Sequence, residues 1–136
     1  NVYGPRQRAG LEGGVVAIFM DRLRNGLPVT INGTGEQRRD LVYVADVVDA
    51  LMAMIGSERN GVWNVGTGRA TSVLELLRTL EGLVGSTVEV RYGPPRPGDV
   101  KNSCLSIKSI RSAFGWKPGY DLVGGIAHML QQSEEA

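Results

Sequence analysis

Two short loops carry the residue types best suited to chemistry in this chain. Gly33-Thr34-Gly35-Glu36-Gln37-Arg38-Arg39-Asp40 delivers two arginines and a carboxylate into an apolar run. Pro94-Pro95-Arg96-Pro97-Gly98-Asp99 presents one arginine and one carboxylate from a stiff frame. A guanidinium is a planar fork of N–H donors that meets phosphate oxygens two at a time, and a carboxylate accepts from sugar hydroxyls. Two such loops can clamp a diphosphate. The same spacing also suits ordinary solvated loops in which Asp40 pairs with a neighbouring arginine. Arginine outnumbers lysine twelve to three, which reflects either phosphate recognition or a compositional bias.

Other chemistry is sparse. The single histidine, His128, sits beside Met129 in an apolar stretch and reads as a packing or surface residue. Tyr3, Tyr43, Tyr92 and Tyr120 are followed four residues on by Gln7, Val47, Arg96 and Gly124, so no tyrosine–lysine acid/base pair is present. No group of His, Cys or carboxylates has metal-ligand spacing, which argues against a metal site. The lone Cys104 cannot close an internal disulfide and reads as a structural thiol of a reducing compartment. Gly66-Thr67-Gly68 lies between a strand-like run and a helix, as a dinucleotide-binding turn does. Its third glycine position holds Thr71, and no acidic residue follows after a second strand, so it reads as a tight turn.

These loops need a scaffold, and apolar spacing supplies one. Recurrence at three and four predicts a helix over Val44–Ile55, its apolar side facing the core with Asp46 and Asp49 opposite. A second helix is predicted from Ser72 to Val84, opened by a Ser72/Glu75 capping box. Further helices are predicted over Val15–Arg24, Ile107–Phe114 and Leu122–Leu130. Gly10, Gly13 and Gly14 form a loop entering the first of these. Strands are expected at Val29–Ile31, Leu41–Tyr43, Val62–Val65 and Thr87–Tyr92. The fold class is therefore α/β, a small mixed sheet with several helices.

With 136 residues the chain makes one domain with a real core and falls short of a typical two-domain enzyme. A net charge of +1 gives no electrostatic reason to expect nucleic acid or an anionic membrane as partner. The longest apolar run, Gly13–Met20, is too short to span a bilayer, and no leader-like segment opens the chain, so a cytoplasmic protein is expected. The chain opens on Asn1 and not on Met, which predicts a piece of a longer polypeptide.

The ordered motifs resemble the extended short-chain dehydrogenase/reductase family, the NAD-dependent nucleotide-sugar epimerases and dehydratases of UDP-glucose 4-epimerase type. Asn1-Val2-Tyr3-Gly4-Pro5-Arg6-Gln7 is similar to the segment that leaves the family's cofactor domain. Residues 33–48 are similar to its G-x-G-x-Q-x-R-D-F-x-Y-V-x-D-V-V. Trp63–Gly68, Arg96-Pro97-Gly98-Asp99 and Phe114-Gly115-Trp116-Lys117-Pro118 follow in the family's order.

The resemblance implies that these residues are a C-terminal substrate-binding lobe, residues 1–14 crossing from a Rossmann domain that is mostly absent and residues 131–136 forming a frayed tail. It implies that Asn1, Arg39 and Arg96 hold a nucleotide diphosphate, that Asp99 binds its ribose, and that backbone at Gly14, Val15 and Asn32 frames diphosphate and base. The position of Asn32 is often an aromatic that stacks on the base, Leu41 replaces a Phe or Tyr, and Ser106 replaces an Asp that can cap a helix. The glycine fingerprint, the tyrosine–lysine pair and NAD would belong to the missing domain, where NAD transiently oxidises C4 of the sugar. No catalytic or cofactor-binding residue is then expected in these 136, which alone would be inactive. A UDP-hexose is the favoured substrate and the parent a homodimer. A related dehydratase, reductase or decarboxylase, or a non-catalytic nucleotide-sugar binding module, is the alternative.

Overall fold

The computed structural model describes residues 1–10 and 14–134. Leu11 to Gly13 and the last two residues of the expected tail lie outside them. Twelve elements follow in the order β1 (Val2–Tyr3), α1 (Val15–Arg24), β2 (Val29–Asn32), β3 (Arg38–Arg39), β4 (Val42–Tyr43), α2 (Val44–Met54), β5 (Thr71–Ser72), α3 (Val73–Val84), β6 (Val90–Gly93), β7 (Asn102–Ser103), α4 (Lys108–Phe114) and α5 (Leu122–Glu134). The strands form three small sheets and not one. β1 pairs with β4 in parallel, β2 with β6 in parallel, and β3 lies between an antiparallel β5 and a parallel β7.

The helix signals in the chain are physical ones, and most act as expected. Ser72 accepts from the Glu75 N–H at 3.1 Å while Glu75 accepts from the Ser72 N–H at 2.8 Å, so the capping box is complete. Gly85 and Gly115 close α3 and α4 in the left-handed conformation that a side chain disfavours. α5 continues past Leu130, so residues 131–134 of the expected tail are helical. α4 has Ile107 as its N-cap residue, and the exposed Ser106 caps nothing.

The main core joins α1, α3 and α5 to β2 and β4 through Phe19, Met20, Leu23, Ile31, Tyr43, Leu76, Leu80 and Ile126. Tyr43 is packed by Tyr3 and Tyr120, with ring centroids 5.5 and 4.8 Å away. Its hydroxyl lies 2.9 Å from His128 Nδ1, which makes His128 a packing residue. A smaller core under α2 and α4 gathers Ala50, Ile110 and Trp116, with Trp63 edge-on to Phe114 at 5.0 Å.

Three sequence expectations fail for identifiable reasons. α2 is rolled part of the way round: Val44 and Met54 pack on the cores and Asp49 lies outside as expected, but Asp46 and Ala50 are buried while Val48, Leu51 and Ile55 are 50%, 55% and 71% exposed. The cause is Asp46, whose carboxylate accepts the Gly119 N–H at 2.7 Å and the Tyr120 N–H at 3.2 Å and so faces inward. Residues 62–65 form no strand. Trp63 and Val65 pack against the smaller core while Val62 is exposed, an alternation met without a pairing partner. Cys104 is a free, exposed thiol and not a packed one.

Candidate functional site

Strand alternation divides the two arginines of β3 between two tasks. Successive residues of a strand point to opposite faces. Arg38 therefore turns to α3, where it donates to Ala70 O at 3.0 Å and to Glu75 Oε1 at 3.3 Å. Glu75 titrates below the usual carboxylate range, chiefly because the Ser72 N–H bonds to its charged form, with Arg38 adding to the effect. Arg39 turns the other way, toward Asp99, and forms an ion pair with it at 2.5 Å while also donating to the carbonyls of Arg38 and Val100.

Asp40, the next residue, is 2% exposed and makes no ion pair among the described residues. Its carboxylate accepts from Thr67 N–H at 2.8 Å, Thr67 Oγ1 at 2.6 Å, Gly68 N–H at 3.0 Å and Leu105 N–H at 3.2 Å. The alternative reading of Asp40 as an arginine partner is thus replaced by a buried anchor for two loops. The same bonds account for Gly66: a Cβ there would lie 2.8 Å from Asp40 Oδ2. They also account for the Gly-Thr-Gly turn, since the N–H groups that would cradle a pyrophosphate already serve Asp40. That turn does not fit a dinucleotide.

Two registers assemble the cleft. β2 pairs with β6 so that Asn32 lies opposite Gly93, and Gly33 N–H donates to Gly93 O at 2.9 Å. The Pro-rich loop that follows β6 thereby passes over Asn32. β3 pairs with β7, with Arg38 N–H donating to Lys101 O at 2.8 Å and Asp40 N–H to Ser103 O at 2.9 Å, which sets Asp99 beside Arg39. With its amide oxygen turned to the guanidinium, Asn32 accepts from Arg96 Nε at 2.9 Å and Nη2 at 3.3 Å. The two charged loops of the sequence thus face each other.

A cavity of about 270 Å³ opens at this point. Asn1, Val15, Asn32, Arg39, Arg96 and Asp99 all line it, with Phe19, Ile31 and Val73 on its apolar side. Gly14 is not among its walls but is the N-cap residue of α1, immediately before Val15, and among the described residues no side chain caps that helix. The first N–H groups of a helix have no partner inside it and carry the positive end of its dipole, so this edge favours an anion. Asn1 is tied in by its Nδ2 donating to Asp40 O at 3.5 Å. A second, larger cavity of about 650 Å³ adjoins the first, sharing Asn32, Gln37, Arg96 and Asp99 and adding Thr34, Glu36, Pro95 and Lys101.

Six of the seven sequence-predicted residues therefore surround one space, and the seventh stands at its edge. Two residues were overlooked. Gln37 lines both cavities and donates from Nε2 to Asn32 O at 3.0 Å; its place in the Gly-x-Gly-x-Gln-x-Arg-Asp run was the available signal. Lys101 lines the larger cavity, and an isolated lysine two residues past Asp99 gives no sign of it. Among the described residues no three His, Cys, Asp or Glu groups come together as a metal site, and no helix is long and apolar enough to cross a membrane.

Comparison with known proteins places this geometry in context. Residues 1–66 match the NAD dependent epimerase/dehydratase family. Over 132 residues the chain is 44% identical to the UDP-glucose 4-epimerase of Mycolicibacterium smegmatis, covering 96% of this chain and 42% of that protein. The crystal structure of UDP-glucose 4-epimerase from Thermotoga maritima with UDP-glucose superposes with a TM-score of 0.93 at 42% identity, over 99% of this chain and 44% of that one. The Thermus thermophilus UDP-glucose 4-epimerase complex with NAD gives 0.88 at 40% identity, again over 99% and 44%. The chain thus spans less than half the length of the relatives it matches.

Proposed function

Because the chain belongs to the NAD-dependent epimerase/dehydratase family of extended short-chain dehydrogenases/reductases, we propose that it is the nucleotide-sugar-binding lobe of a UDP-glucose 4-epimerase-type enzyme. The observation that carries this reading is the convergence of Asn1, Val15, Asn32, Arg39, Arg96 and Asp99 on one cavity at the open N-terminus of α1. A diphosphate is the chemical group that such a set suits: two guanidinium forks, an uncapped helix end and one amide, with a carboxylate placed for a ribose hydroxyl. Arg39 would exchange the Asp99 carboxylate for phosphate oxygens, freeing Asp99 to accept from the sugar.

The N–H groups of the Gly66-Thr67-Gly68 turn, the dinucleotide-like signal of the sequence, are committed to Asp40. We assign the cofactor to parts of the parent protein other than these 136 residues, together with the acid/base pair. The part played by this lobe is then positional. It fixes the nucleotide so that the sugar is held at the reacting centre, a contribution made through orientation and not through bond-breaking. The parent's substrate is read as a UDP-hexose, its localisation as cytoplasmic and its assembly as a homodimer.

Calorimetry on the 136-residue chain tests the binding half of this proposal. UDP and UDP-glucose should both bind weakly, and Arg39→Ala or Arg96→Ala should each remove about 1.5 to 3 kcal/mol, the range for lost charge-assisted hydrogen bonds. Absence of heat with UDP at millimolar concentration, or affinity untouched by both substitutions, would refute it. The reaction class is tested separately, by turnover of UDP-glucose, dTDP-glucose and GDP-mannose in a polypeptide carrying this lobe and an NAD-binding domain. Interconversion of UDP-glucose and UDP-galactose is expected; loss of water or reduction would assign a dehydratase or reductase.

A further inference from the structure

The two arginines of the cleft are held by partners of different charge. Arg39 faces a carboxylate, Asp99, and is neutralised by it. Arg96 makes no ion pair among the described residues, and the group that meets it is the neutral amide of Asn32. The amide oxygen takes Nε and Nη2, both on one edge of the guanidinium. The opposite edge is left to the cavities that Arg96 lines. Asn32 is itself fixed, because its carbonyl accepts from Gln37 Nε2 and its strand partner is Gly93. A Cβ at Gly93 would come within 3.1 Å of the other terminal atom of the Asn32 amide, its nitrogen when the oxygen faces Arg96, so glycine there leaves the amide its room.

We propose that Asn32 is the positioning residue for Arg96, orienting the guanidinium toward the diphosphate without cancelling its charge. The proposal rests on the reading of this cleft as a nucleotide-diphosphate site. Asn32 thereby acts on phosphate binding through Arg96, and its loss is felt by ligands that carry the phosphates and not by a nucleoside that lacks them.

Arginine-side-chain NMR and calorimetry on the 136-residue chain test this. In ¹⁵N-labelled protein the Arg96 Nε–H signal should exchange slowly, and Asn32→Ala should merge it with those of exposed arginines. Asn32→Ala should weaken UDP and inorganic pyrophosphate alike by about five- to tenfold, the order of one hydrogen bond's net contribution, and leave uridine unchanged. Adding Arg96→Ala should make the Asn32 substitution silent. Asn32→Asp should keep the Nε–H signal yet weaken pyrophosphate, since it supplies the acceptor but cancels the charge. Arg96→Lys, which keeps the charge but lacks the fork and leaves β2 intact, should lose affinity to a similar extent and decides the matter if Asn32→Ala does not fold. An Nε–H signal indifferent to Asn32→Ala, or a loss equal for uridine and UDP, would overturn the proposal. A wild-type chain binding neither UDP nor pyrophosphate would overturn the diphosphate reading instead, because the NMR comparison needs no ligand.

Discussion

At the scale of single residues, two aspartates decide more than any other side chains. Asp40 is buried yet makes no ion pair among the described residues, and its carboxylate accepts from four donors on residues 67, 68 and 105. Asp40→Ala leaves three backbone N–H groups without their acceptor and should cost about 2 to 4 kcal/mol, since each orphaned buried donor carries its own penalty. Urea denaturation measures it. Gly66→Ala is expected to destabilise by roughly 1 to 3 kcal/mol through the clash with the same carboxylate, while Gly82→Ala, whose Cβ meets nothing within 4 Å, should not. The residues of the cleft were largely legible in the sequence because arginines beside Gly and Pro are chemically conspicuous. Asp40 was not, since a carboxylate directly after two arginines invites an ion pair and only the three-dimensional path of residues 66–68 shows otherwise. Gln37 and Lys101 were overlooked because neutral amides and lone lysines are common in solvated loops.

At the scale of elements, capping chemistry gave α3 its start at Ser72 without need of the fold. Ser72→Ala should destabilise by about 1 kcal/mol, as loss of an N-cap does. The pH dependence follows from Glu75, whose folded-state pKa is depressed. A depressed acid stabilises above its unfolded pKa and loses that contribution as pH falls through the folded value. The stability lost in Glu75→Gln, followed by chemical denaturation, should therefore be greatest at neutral pH and shrink as pH falls below the ordinary carboxylate range. β1, β3, β5 and β7 are two residues each and pair with partners 30 to 65 positions away in the chain. So short a run holds no periodicity to read, which is why these strands, and the cleft register they set, escaped the sequence. The orientation of α2 escaped for the opposite reason: its apolar stripe is clear, and the inward pull of Asp46 overrides it.

At the scale of the whole molecule, that roll leaves Val48, Leu51, Met52 and Ile55 along one exposed helical stripe. Leu51→Lys with Ile55→Glu should change folding stability by less than about 0.5 kcal/mol, as surface substitutions do, while lowering self-association of the chain in sedimentation velocity. Equal association would show that the stripe is inert. The aromatic centre predicts behaviour at the other end of the pH scale. Tyr3 and Tyr43 titrate above the usual tyrosine value of 10.0, mainly because burial disfavours the phenolate. Their stabilising contribution is full below that value, where the unfolded chain also keeps its protons, and is lost as pH rises through the folded values. Alkaline unfolding, with tyrosine absorbance rising in step, is the expected observation.

The alternation of Arg38, Arg39 and Asp40 also bears on how this region can change over evolutionary time. Three adjacent side chains serve a helix cap, a ligand cleft and a loop anchor, Arg38 and Arg39 from the two faces of β3 and Asp40 from just past its end. Substitutions here damage one task at a time. Removal of a single residue from the turn at 33–37 would shift the whole triplet by one place, reassigning every task while leaving the charge count nearly intact. Lineages carrying this module should tolerate exchanges of residue type in that turn far more readily than changes in its length.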